Sequence, residues 1–164
     1  MEPWELWVRS TELHAFVKQH PWVWPACETI HYLGLSMLLG TVGVFDLRVL
    51  GMAKAIPPAA LHRLIPLGVA GYAVNFLTGV VFFFGFPEQY AYNNAFRFKL
   101  LFMALAGINV VIFYTSAFRE LRALGPNADA PLRSKIITAI SLSSWVAVLI
   151  CGRLLTFFRP PFFH

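Results

Sequence analysis

Apolar residues along this chain gather into four blocks, each long enough to cross a bilayer as a helix, separated by short breaks rich in proline, glycine and charge. The pattern predicts spans over about residues 25–50, 60–84, 95–118 and 132–158. Pro25 suits the first helical position of the first span, and Pro57-Pro58 precedes the second. Pro66 interrupts the second block, so residues 59–65 are expected to form a separate amphipathic turn ahead of the spanning part. Asn94 is the expected N-cap of the third span, and Arg119, Glu120 and Arg122 mark the polar loop that follows it. Gly125-Pro126-Asn127 turns the chain there, and Pro160-Pro161 is expected to stop the fourth span.

Ahead of the spans, residues 3–19 are too polar to cross. Trp4, Trp7, Val8 and Ala15 share one helical stripe, with Glu5, Arg9 and Glu12 off it, the pattern of a helix lying in the membrane interface. Trp22 and Trp24 then fit the aromatic belt at headgroup level. The charges at Glu2, Glu5, Arg9, Glu12 and Lys18 do not suit a cleavable signal peptide. The expectation is all-α: one transmembrane domain over residues 1–164, a four-helix bundle with an N-terminal interfacial amphipathic helix.

Composition agrees, because 58% of the residues are hydrophobic, 13% are charged and the mean hydropathy is +0.64, which makes lipid the main solvent. The net charge of +5 does not point to nucleic acid, since the basic residues flank the spans and do not form one patch. They read instead as orientation signals. Arg48, Lys54 and Arg63 flank one short loop, and Arg119, Arg122, Arg133 and Lys135 flank another, which places both in the cytoplasm. Both termini then face outward, into the periplasm of a bacterium whose inner membrane holds the protein. Cys27 and Cys151 fall in or beside helices, where small buried thiols are common, and whether they interact is left open.

Lipid offers no hydrophobic force between helices, so small and polar stripes are expected to hold the bundle. Candidates are Ser36, Gly40 and Gly43 on the first span, Gly71, Asn75, Thr78 and Gly79 on the second, and Ser141, Ser144 and Cys151 on the fourth. Ionisable residues inside spans are costly and tend to face the interior, which makes them the best functional pointers. At 1.5 Å per residue, His31, Lys99 and Arg153 lie about 7–10 Å in from the outer helix ends, on three different spans. Glu28 sits one turn from His31, a spacing at which a carboxylate can hold an imidazole ring. Arg97 points away from Lys99 and is free to snorkel, so Lys99 is the inward choice.

One His ligand with basic groups nearby suits haem b, with His31 on the metal and Lys99 and Arg153 meeting the propionates or the sixth position. The same residues with Glu28 can also form a neutralised polar network that binds nothing and fixes helix register. Asp46, Arg48, His62, Arg63 and Tyr114 make a second cluster at the cytoplasmic end, read as interfacial anchoring.

Four stretches, Glu28-Thr29-Ile30-His31-Tyr32-Leu33-Gly34, Phe45-Asp46-Leu47-Arg48-Val49-Leu50-Gly51, Phe96-Arg97-Phe98-Lys99-Leu100-Leu101 and Gly152-Arg153-Leu154-Leu155, resemble a bacterial four-helix membrane family of unknown function, the domain of unknown function numbered 6644. The likeness covers nearly the whole chain. More distantly, the His of the first span and the Lys of the third are similar to the membrane-bound haem-containing protoporphyrinogen oxidases, which implies haem-linked roles for His31 and Lys99.

The function expected is therefore a haem b redox protein that exchanges electrons with a quinone or a periplasmic partner. Two alternatives stay open: a proton or small-solute carrier using Glu28 and His31, and a structural subunit of a homo-oligomer or larger membrane complex.

Overall fold

The structure is a computed structural model that describes residues 2–158. It is all-α, with no strand among the described residues. Two short helices, α1 (Pro3–Arg9) and α2 (Glu12–Gln19), precede the first span. That span, Val23–Leu50, consists of α3 (Val23–Leu38), one π turn (Leu39–Gly43) and α4 (Val44–Leu50). The second span, Pro58–Gly85, contains α5 (Pro58–His62) and α6 (Ile65–Gly85). A short α7 (Pro87–Ala91) leads to the third span, α8 (Asn94–Ser116), then α9 (Phe118–Ala123) and the fourth span, α10 (Leu132–Leu154). All four are long and apolar enough to cross a membrane, and the chain is a multi-pass membrane protein.

The boundaries differ from the sequence expectation where local chemistry decides. Asn93, not Asn94, caps the third span: its Oδ1 accepts from the Ala95 N–H at 2.9 Å while its Nδ2 donates to the Leu155 carbonyl at 3.1 Å. That second bond ties the start of the third span to the end of the fourth. The fourth helix ends at Leu154, short of Phe158, and the expected stop at Pro160-Pro161 lies outside the described residues. The interfacial segment is two helices, not one, because Thr11 accepts from the His14 N–H and so starts a new helix.

The first span pairs with the second and the third with the fourth, and the first also meets the fourth, so the order across the bundle is second, first, fourth, third. The second and third spans do not pack along their length and meet through side chains near their ends, such as Phe83 with Phe96 and His62 with Tyr114. The π turn manages the hand-over within the first span. Within it the Thr41 hydroxyl bonds back to the Met37 and Leu38 carbonyls at 2.8 and 3.2 Å. Before the turn, Gly34 and Leu38 face the second span; after it, Phe45, Asp46 and Val49 are buried toward the fourth.

The first and second spans touch backbone to backbone. A Cβ built on Gly34 meets the Gly71 carbonyl oxygen at 2.8 Å, and one built on Gly71 meets Leu38 N and Met37 Cβ at 2.9 Å. The small face of the first span is thus Gly34, Leu38 and Thr41. Gly40, Gly43 and Gly79 have open space where a side chain would go, and Ser36 is exposed. The expected stripe on the first span lay on the wrong face because the glycines of a π turn look like a packing motif. On the second span Gly68, Gly71 and Thr78 are buried, and on the fourth Ser141, Ser144 and Cys151 are.

The N-terminal helices fold over the end of the second span. Glu5 was expected off the apolar stripe, yet it is 4% exposed, accepting from the Tyr92 hydroxyl at 2.7 Å and from the Glu2 N–H at 3.1 Å. Trp7, expected on the stripe, is 63% exposed. His14 Nδ1 donates to the Phe84 carbonyl at 2.7 Å, and the Lys18 ammonium stands 3.5 Å from the Phe86 ring centre. Arg9 pairs with Glu88. Desolvation is the largest single influence and works against ionisation of Glu88, but the Arg9 hydrogen bond, a backbone hydrogen bond and the Arg9 and Lys18 charges together hold its carboxyl below the usual value.

Candidate functional site

His31 lies on α3 at the end of the bundle that carries the termini. Its Nδ1 is 2.7 Å from Thr78 Oγ1 on the second span. The Thr78 hydroxyl donates its own proton to the Val74 carbonyl, 2.8 Å away. It can therefore only accept from the ring, which puts the imidazole proton on Nδ1 and leaves the Nε2 lone pair free. Phe82 packs on the ring with centroids 5.5 Å apart, so both position and tautomer are fixed by the second span.

Sequence reasoning gave the orienting role to Glu28, and the structure gives it to Thr78. Glu28 is exposed and acts instead on Tyr90, whose hydroxyl is pushed up to about 12, chiefly by burial and then by the Glu28 carboxylate. Thr78 was visible in the sequence as a packing residue, but its contact with His31 spans 47 positions and depends on where Gly34 and Gly71 bring the helices together.

Lys99 of the third span is half-buried, and its amine lies 3.8 Å from where a Cβ on Gly152 would stand. It is close enough to His31 for their charges to interact, so the structure brings these two together across the bundle. Arg153 is exposed, with its guanidinium 5.5 Å from the Phe157 ring centre, on the rim and not beside His31.

No group of three or more His, Cys, Asp or Glu that could hold a bare metal ion exists among the described residues. Haem needs no such group, because its macrocycle supplies the equatorial ligands and the protein adds an axial one. An anchored imidazole with a free Nε2 and a cation nearby fits that requirement.

The opposite end divides the second cluster into three parts. His62 Nε2 and the Tyr114 hydroxyl are 3.1 Å apart. Arg48, 1% exposed, turns toward the loops and donates to the carbonyls of Ile56 and Ala128. Asp46, 3% exposed, lines a cavity of about 290 Å³ between the second and third spans. Among the described residues its Oδ2 has no hydrogen-bond partner. No family model, curated protein or solved structure matches this chain.

Proposed function

We propose that this chain is a haem b redox protein of a bacterial inner membrane, with His31 Nε2 as the axial ligand and the termini in the periplasm. One observation carries the reading: Thr78 occupies His31 Nδ1 while its own proton is committed to Val74, which leaves the ring only one nitrogen with which to bind. Lys99 supplies positive charge on the same level, suited to a propionate, and Arg153 offers a second cation at the rim. Haem would supply one-electron chemistry there, with His31 and Lys99 holding it and the apolar spans keeping water away. A quinone or a periplasmic redox protein is the electron partner, and the likeness to the family numbered 6644 belongs to the same proposal.

The test is an absorption spectrum of the protein purified in mild detergent after haem-replete expression. A Soret band is expected, lost in His31→Ala and shifted in Thr78→Val, which keeps the shape but removes the acceptor. No band, or one indifferent to His31→Ala, overturns the proposal. Cysteine-labelling of residues near Gly125 against residues near Ser10 tests the orientation, with the former expected to label only from the cytoplasm.

A further inference from the structure

The cleft between the second and third spans sets buried polar chemistry beside exposed apolar helix faces. Its floor is the first and fourth spans, and its rim includes Val69 and Val110, both exposed on apolar helices. A ligand therefore arrives from the bilayer, not from water. Tyr72 and Trp145 meet edge to face inside it, with centroids 6.0 Å apart, and Phe45 and Phe113 close the far wall at 5.6 Å. This aromatic chamber has about 290 Å³, near the lower bound of about 300 Å³ for small-molecule sites.

Asp46 makes it more than a packing defect. Its carboxyl interacts with Ser141 of the fourth span, yet Oδ2 is unpartnered and buried among the described residues, and no Lys or Arg forms an ion pair with it. A buried carboxyl oxygen without a partner is costly, and a ligand that donates a hydrogen bond relieves that cost. Because entry is through hydrocarbon, a neutral hydroxyl reaches the site at less expense than a cation.

We propose that this cleft binds a lipid-borne aromatic molecule bearing a hydroxyl, the chemistry of a reduced quinone head, with Asp46 Oδ2 accepting its hydrogen. The site stands apart from His31, on another level of the bundle, and does not depend on haem.

The experiment measures saturable uptake of labelled para-octylphenol into nanodiscs with the protein, over empty nanodiscs. Para-octylanisole, which lacks the donor, and para-octylbenzylamine, which is cationic, serve as comparisons. The phenol is expected to bind about tenfold or more tightly than the anisole, with the difference abolished in Asp46→Leu, which removes both carboxyl oxygens. Gly107→Leu is expected to lose saturable uptake altogether, since Gly107 lines the cavity and has nothing within 4 Å of a Cβ there. If Asp46→Leu does not fold, the comparison of phenol with anisole and the Gly107→Leu variant still decide. Equal uptake of phenol and anisole, preference for the amine, or an unaffected Gly107→Leu overturns the proposal, whatever the Soret experiment shows.

Discussion

Gly71→Ala probes the contact on which the His31 geometry rests. The added methyl would stand 2.9 Å from Leu38 N and Met37 Cβ and nearer still to the Gly34 carbonyl. Comfortable carbon contacts begin at about 3.5 Å, so the two spans must separate by roughly 0.5–1 Å, and no flexible side chain is available to yield instead. Overpacking of this kind costs about 1–3 kcal/mol. Gly79→Ala on the same helix is the control, because nothing lies within 4 Å of its new methyl. Helix propensity alone favours that change by up to about 1 kcal/mol. That gain is common to both variants and cancels, so reversible unfolding in mixed micelles should place Gly71→Ala about 1–3 kcal/mol below Gly79→Ala. The separation also stretches the 2.7 Å His31–Thr78 bond, so Gly71→Ala should reduce haem retention where Gly79→Ala does not. Equal stability of the two variants, within about 0.5 kcal/mol, would refute backbone contact as the device that sets this site.

Arg48→Met should destabilise the loop end by about 2–4 kcal/mol in the same assay, since two carbonyls lose a charged donor while relief of the unpartnered Nη1 offsets part of the loss. Asp129, hydrogen-bonded by Lys135 and then Lys54, has its carboxyl lowered from 3.8 to about 2. A depressed carboxyl pKa stabilises the fold above its unfolded value, so this contribution should be complete above about pH 4 and fade as pH falls toward 2, and the pH dependence should vanish in Asp129→Asn. Carboxyl NMR titration reads the value directly. Glu5→Ala removes the carboxylate that accepts from the Glu2 N–H at the start of α1 and from the Tyr92 hydroxyl, and hydrogen exchange over α1 should accelerate about 5–30-fold while the spans keep their protection.

The spans were legible because each requires a long apolar run, and composition alone enforces that. Contacts between them were not. Gly34 and Gly40 look alike in sequence, yet one is pressed on Gly71 and the other has open space, because six residues put them on different faces of the helix. Glu5 read as a water-facing charge because periodicity cannot foresee Tyr92 arriving from 87 positions away. His31 and Lys99 were found from the rarity of charge in lipid, but the partner of His31 was missed, since a threonine within a small-residue stripe gives no sign of which imidazole it will meet. Asp46 was taken with Arg48 as anchoring, and the two prove to face different surroundings, a cavity and a pair of loops.

The extra residue at Leu39–Gly43 works as a phase shift in a helix otherwise read at about 100° per residue. Loss of one codon there would turn everything downstream by about that angle, moving Asp46 off the cleft and Arg48 off the loop carbonyls while leaving His31 against Thr78. The two halves of this crossing are thus coupled to different neighbours and are free to diversify separately, with a single turn of backbone as the joint between them.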